Sequence, residues 1–418
     1  MFSKIKTLTN TDNKKRLISN FFSLIVLRGF QFLLPLVTLP YLVRTIGIEN
    51  FGLVNFALSL GMYFGAIIQF GFGITATREI ARHRDDPVKL AQIYSATLTA
   101  SMFLALVSAM LFTAIVLSFE IFYKHLDLYL FTLAFIVFQS LFPIWFFQGM
   151  EKMKYITFLT LGTSAMFLIS LFLFVKQQDD FVLVPLLNAV AALITLIISI
   201  TLIKKQFKVK ITKPSGQEIT YLLKEGRHAF VAQLSPNLYN NSAVFLLGLF
   251  TNNTIVGLYT AATKVIGAVA SLGVILSNTF LPYFARNIQN HHLFQKLMLT
   301  TGLTLTVTTF VLAGWITELL FSVDNIEVAT YIQWTAISIL LLFSLKTYGD
   351  NFLMLVGKDK IVKNIALYTS LAFFGIALLI IPLWGIWGAI ATLVGARFTM
   401  AIFQFSFYLK YKHLGQTA

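Results

Sequence analysis

Five ionisable residues sit where charge is costly. Arg28, Lys264, Lys346 and Arg397, together with Asp350, fall inside long apolar runs of a 418-residue chain. A Lys or Arg at the centre of a membrane helix costs roughly 2.5–3.5 kcal/mol on insertion scales, so its head must reach water, a partner or a ligand. Arg28 lies about ten residues into the first run and Arg397 about eleven into the last; at ~1.5 Å per residue both come near the bilayer middle, too deep to snorkel out fully. Lys264 is expected in the outer half of its run and Lys346 in the inner half. Asp350 follows Lys346 at i,i+4, which puts both on one helix face; a local salt bridge and an ion-coupling site both fit. Four embedded cations against one anion leave positive charge to be answered. A pyrophosphate or an acidic sugar passing through would answer it, making all four basic residues candidate substrate-binding groups; backbone carbonyls, water or one another are the structural alternative.

No bond-making chemistry accompanies them. The sequence has no Walker loop and no HExxH, and no cysteine for a disulfide or a thiolate metal site. His83, His125, His228, His291, His292 and His413 form no plausible buried metal set, and the pair His291–His292 reads as a solvated loop. Asp85–Asp86 and Asp179–Asp180 are adjacent carboxylates in loops. No catalytic residue, metal ligand or cofactor is expected. The net charge of +15, from 32 Lys and Arg against 17 Asp and Glu, would suggest nucleic acid in a soluble chain. No recognition motif supports that here, and basic cytoplasmic loops explain it better.

The elements that hold these residues are membrane helices. The chain is 57% hydrophobic and 12% charged, with a mean hydropathy of +0.79, against about 45–50% and about 25% in ordinary soluble domains. Twelve apolar runs, beginning near Ile18, Phe51, Ala91, Leu128, Ile156, Val182, Ala229, Ile255, Leu297, Val328, Ile365 and Gly385, each approach the length that crosses ~30 Å of hydrocarbon. The first, with Arg28 inside it and no small-residue cleavage site, reads as a retained helix rather than a signal peptide. With the N-terminus cytoplasmic, 25 of the 32 basic residues fall in inside segments and only Arg44, Lys124 and Lys176 in outside loops, a strong positive-inside bias. Both termini are therefore expected in the cytoplasm.

The longest polar stretch divides six runs from six. This gives an all-α integral membrane protein of about twelve transmembrane helices: a six-helix bundle over 1–203, a cytoplasmic linker over 204–228, and a second, parallel six-helix bundle over 229–418. Gly52-Leu53 and Gly257-Leu258, 205 residues apart, occupy matching places in the two halves. Gly61 and Gly65 form a GxxxG packing pair, and Pro35 and Pro40 are expected to interrupt the first helix. Gln31, Asn55, Gln69, Gln139, Asn188, Asn237, Asn240, Asn241, Asn278 and Gln404 mark polar helix faces, most as glue between helices and a minority as substrate contacts.

Several stretches resemble the O-antigen (Wzx-type) polysaccharide repeat-unit flippases of the multidrug/oligosaccharidyl-lipid/polysaccharide exporter superfamily. They are Pro40-Tyr41-Leu42, Arg44 and Gly47 with Phe51-Gly52; Phe70-Gly71-Phe72-Gly73 running into Ala76-Thr77-Arg78-Glu79-Ile80-Ala81; Trp145-Phe146-Phe147-Gln148-Gly149 with Glu151-Lys152-Met153; Gly257-Leu258-Tyr259; Leu281-Pro282; and Trp384-Gly385-Ile386-Trp387-Gly388-Ala389. They run in order along essentially the whole chain. The resemblance implies two bundles around a central cationic cavity, alternating access, and translocation of an undecaprenyl-pyrophosphate-linked oligosaccharide from the cytoplasmic to the periplasmic leaflet of a bacterial inner membrane. It also implies membrane lipid, a polysaccharide polymerase and chain-length machinery as partners. A multidrug or cation antiporter of the same superfamily should favour acidic cavity groups, against the excess of cations here. A membrane glycan polymerase or ligase would need a large external loop, and the outside loops are short.

Overall fold

The computed structural model describes the backbone of residues 12–284, 288–321 and 327–414, without the side chains of 12–33, 35, 36, 228, 232–240, 282 and 290. Every regular element among the described residues is helical. Among the described residues, nine helices are long and apolar enough to cross a membrane, and a bent pair, His291–Val311 and Ala313–Leu320 at 67°, makes a tenth if the two are taken as one span. These ten coincide with ten of the twelve expected runs. The runs near Ile18 and Ala229 fall on the helices Asp12–Gln69 and Gly216–Asn240, largely where side chains lie outside the described set. The protein is thus a multi-pass α-helical membrane protein.

The long helix Asp12–Gln69 has one residue with non-helical dihedrals, Gly47 at φ 78° and ψ 161°. The interruption expected at Pro35 and Pro40 therefore lies further on: the helical assignment runs through both prolines, and the chain breaks where a residue without Cβ tolerates positive φ. A Cβ at Gly47 would meet only Gln178, at 3.9 Å, so conformation rather than space calls for glycine.

The chain forms two compact units. Among the described residues, the first holds 12–31, 60–176 and 182–234, and the second holds 32–59, 177–181 and 235–414. The segment 32–59, in the first half of the sequence, belongs to the second unit. Of the stretch 204–228, residues from Gly216 onward are helical.

In the first unit, Phe72, Ile80, Tyr94, Trp145, Phe146 and Leu222 share one buried cluster. Tyr94 meets Phe146 edge-to-face at 5.5 Å, a preferred aromatic geometry. Gly61 and Gly65 press on the helix Leu126–Leu141, where added Cβ atoms would lie 2.8 Å from Ile136 and 3.2 Å from the Ser140 hydroxyl. This pair packs rather than hinges. Segments expected on one side of the membrane meet at one end of the unit: Arg78 bonds Glu225 at 2.8 Å, Arg84 bonds Glu151 at 2.8 Å, and Thr212 N–H donates to Ser95 Oγ at 2.9 Å.

The second unit is assembled through glycines. Phe343, fully buried on the helix Glu327–Leu345, seats against Gly273 and Gly302 of two other helices, where any Cβ would come within 2.9 Å of its ring or its own Cβ. In lipid, helices gain little from hydrophobicity and associate through close packing, which small residues permit. Here too the expected sides agree: Arg44 donates to the carbonyls of Phe321 at 2.9 Å and Leu319 at 2.5 Å, and Lys358 lies 4.8 Å over the Tyr411 ring.

Candidate functional site

Backbone contact between two glycines positions the embedded lysine of the second unit. A Cβ on Gly52 would fall 1.8 Å from the Asn253 carbonyl oxygen and 2.7 Å from Gly257 N; one on Gly257 would fall 2.1 Å from the Ile48 carbonyl oxygen. The two positions matched by the sequence repeat therefore cross each other directly. That crossing carries Phe51, fully buried, to the helix Asn253–Phe284, where the Lys264 ammonium sits 5.1 Å from the centre of its ring. A cation over an aromatic face gains about 0.5–2 kcal/mol, less than the cost of lysine in hydrocarbon. Among the described residues no carboxylate pairs with Lys264. Its side chain is exposed.

Arg397, half-buried on the helix Ile386–Tyr411, lies near Tyr259. Tyr259 and Lys264 lie on the same helix, Asn253–Phe284. Arg28 lies on the helix Asp12–Gln69, and its side chain is outside the described set.

Lys346 and Asp350 stand apart. They bond each other at 2.5 Å, each about one third exposed, so the local pairing allowed by their spacing is realised. The turn holding them, Lys346–Leu353, is a π-helix, marked by Met354 N–H donating to the Gly349 carbonyl at 3.0 Å. Such wide turns recur at functional positions. This one is held by a buried polar network: the Ser277 hydroxyl bonds Asn351 Oδ1, Asn351 Nδ2 donates to the Ser277 carbonyl at 3.1 Å, and His291 Nε2 lies 3.1 Å from the Thr347 carbonyl.

His291 corrects the sequence reading. It is not solvated: it opens the helix His291–Val311, is 3% exposed, and packs against Phe352 at 4.9 Å and Tyr408 at 5.7 Å. Nothing in the local sequence signals this, because beyond the nearby Phe284 and Phe294 its enclosure needs Thr347, Phe352 and Tyr408, 56 to 117 residues away. Among the described residues no cluster of His, Asp or Glu could hold a metal.

The first unit contains a different kind of site, a hollow of about 420 Å³. Gln69, Gln139 and Gln148 line it with Ser140, Phe142 and Trp145, and no charged side chain does. It forms where the helix ending at Gln69, the helix Leu126–Leu141 and the short helix Ile144–Gly149 converge. The intervening turn at Phe70 (φ 38°) and Gly71 (φ 73°) is left-handed, and a Cβ on Gly71 would lie 2.7 Å from Phe230 N. Phe70 stacks on the Phe230 ring at 4.8 Å. This turn is thereby clamped onto the helix Gly216–Asn240. Gln69 and Gln139 carried a signal in the sequence as amides within apolar runs, and Trp145 and Gln148 as part of a stretch resembling the flippase family.

A profile of the family described as "Polysaccharide biosynthesis protein" matches residues 17–288. A protein of Escherichia coli (strain K12) named "Putative O-antigen transporter" is 30% identical over 260 residues, 62% of this chain and 63% of that protein. The chain thus matches somewhat less than two thirds of that relative's length. A Shigella dysenteriae protein of the same name is 24% identical over 395 residues, 92% of this chain and 98% of that one. Among solved structures, the lipid II flippase MurJ in an inward closed conformation aligns with a TM-score of 0.69 at 14% identity, covering 94% of this chain and 87% of that one. An inward-facing multidrug resistance transporter of the MATE family, in the MOP superfamily, aligns at 0.61 with 15% identity over 93% and 99%. At these identities the structures speak for the fold alone.

Proposed function

Because the chain belongs to the polysaccharide biosynthesis protein family, we propose that it is a flippase for lipid-linked oligosaccharide, carrying an undecaprenyl-pyrophosphate-linked repeat unit from the cytoplasmic to the periplasmic leaflet of a bacterial inner membrane. The observation that carries this reading is Lys264. It is an ammonium on an apolar spanning helix, steadied by the Phe51 ring and paired with no described carboxylate. Such a charge is tolerated in the membrane when it meets water and an anion, and a pyrophosphate head is an anion small enough to pass it. Arg397, beside Tyr259, and Arg28 are assigned to the same task. Lys346 and Asp350 neutralise each other and are assigned to holding the π-helical turn, which a proton or ion could loosen by separating them.

Six-helix bundles over 1–203 and 229–418 would alternate access to this charge, with both termini in the cytoplasm as the basic residues require. Within each unit, loops assigned to one side do meet at one end, which favours that alternation. A polymerase and chain-length machinery would take up the delivered unit. Both named relatives are called transporters rather than enzymes, which weighs against a polymerase or ligase.

Deletion of the gene in its native host tests the proposal. Loss of surface glycan with short lipid-linked units accumulating on the cytoplasmic leaflet is expected. Units exported normally but left unpolymerised would overturn it in favour of a polymerase.

A further inference from the structure

We propose that the hollow of the first unit is a binding subsite for an uncharged sugar ring, separate from the cationic residues of the second unit. The inference rests on the transport reading, and adds to it where a neutral part of the glycan is held.

The lining selects the ligand class. Three primary amides and the Ser101 and Ser140 hydroxyls can each donate and accept hydrogen bonds, as sugar hydroxyls do. Phe142 and Trp145 offer apolar surface suited to the C–H face of a pyranose. No lysine, arginine or histidine is present to hold a phosphate, and no carboxylate to hold a cation. The Gln139 amide speaks against a lipid tail, since a polar group facing hydrocarbon without a partner costs about 1–3 kcal/mol. At about 420 Å³, the hollow falls within the roughly 300–1,000 Å³ typical of small-molecule sites.

Gln139 makes the argument specific. It lies in the apolar helix Leu126–Leu141, is exposed, and its amide bonds to no described residue. An amide serving as helix glue would be engaged by a neighbour. Gln148, by contrast, is oriented: its Oε1 accepts from the Thr77 hydroxyl at 3.3 Å. The left-handed turn at Phe70 and Gly71, pinned against Gly226 and Phe230, fixes the wall between Gln69 and Phe72. Backbone strain of this kind persists where surrounding packing enforces it and recurs at ligand sites. One unengaged amide, one oriented amide and two aromatic rings on a fixed wall form a preorganised site.

Saturation-transfer NMR on the full-length protein in lipid nanodiscs tests this, with glucose, N-acetylglucosamine and rhamnose as neutral probes and glucuronate and inorganic pyrophosphate as charged ones. At least one neutral sugar is expected to give a signal that falls about tenfold in Gln69→Ala/Gln139→Ala, while Gly314→Ala, with no atom within 4 Å of its added carbon, leaves it unchanged. Equal sugar signals in wild type and the double variant, or a preference for glucuronate or pyrophosphate that the double variant removes, would overturn the subsite. Should the double variant lose folded yield, Gln139→Met, similar in length and apolar, carries the same comparison. In cells, a double variant that restores surface glycan fully to the deletion strain would overturn the subsite while leaving the transport reading intact. A deletion strain with normal surface glycan would overturn the transport reading, and the NMR comparison would still decide whether the hollow binds sugar.

Discussion

The two units handle polarity in opposite ways. The first carries its ion pairs, among them Arg78–Glu225, Arg84–Glu151 and Glu120–Lys124, away from the hollow near its spanning helices and keeps that hollow free of charge. The second carries charge within the spans: Lys264 over Phe51, Arg397 beside Tyr259, and Lys346 bonded to Asp350. Both units also close helices on backbone, the second at Gly52 against Gly257 and the first at Gly71 against Phe230. Neutral amides suit a ligand with many hydroxyls, and the Lys264 ammonium over Phe51 suits one with an anionic head. A lipid-linked glycan has both.

The sharpest way to break this contrast is at the glycine crossing. Gly257→Val would drive side-chain atoms into the Ile48 carbonyl, where even the first carbon would sit at 2.1 Å; neither helix backbone can yield without moving the whole contact, and overpacking of this kind costs about 1–3 kcal/mol or more. Loss of nearly all monodisperse protein on size-exclusion chromatography is expected. Gly314→Ala, with no atom within 4 Å of its added carbon, should keep wild-type yield. Equal yields for both would mean that the crossing does not hold the second unit together.

Next in size is the embedded lysine. Lys264→Ala should keep its yield, since it removes a charge that is costly in lipid, yet reduce surface glycan in a complemented deletion strain at least tenfold. Lys264→Arg should restore part of it. Full display by the alanine variant, measured by glycan immunoblot, would remove the anion site from the second unit and leave the two units alike in lacking one.

The Lys346–Asp350 pair sharpens the comparison further. Asp350→Ala leaves a half-buried ammonium alone and should lower the Tm by several degrees. Lys346→Ala/Asp350→Ala should recover much of that loss, because removing both partners spares the uncompensated charge. A double variant as unstable as the sum of the two singles would show that the residues act independently. The smallest effect is expected at the other extreme of exposure: Arg78 and Glu225 are each more than 40% exposed, and pairs of that kind contribute about 0–1 kcal/mol. Glu225→Gln should move the Tm by a degree or two at most, and less in 1 M salt. A shift as large as that of Asp350→Ala would make the loop ion pairs central to the first unit.

Ten of the twelve spans were legible because a run of apolar residues is a length measurement, and length against a bilayer admits one reading. Lys264, Arg397, Lys346 and Asp350 stood out because charge within such a run is rare. Where Lys346 and Asp350 would meet was legible too, four residues apart on one helix. The bend at Gly47 was misassigned to Pro35 and Pro40, since proline is the stronger breaker in sequence while only the fold decides where positive φ is used. The burial of His291 was invisible, because its enclosure by Phe352 and Tyr408 depends on chain folded back from the far end.

The sequence by itself determined that this chain lives in a membrane, how often most of its length crosses, and which few charges cross with it. The tertiary structure alone decided that Gly52 meets Gly257, that Lys264 finds Phe51, and that three glutamines from separate elements surround one hollow. Helices that are apolar all round carry no stripe announcing which face turns inward. In lipid their pairing is settled by the fit of small and large side chains at each crossing, and that fit exists only once the partners are in place.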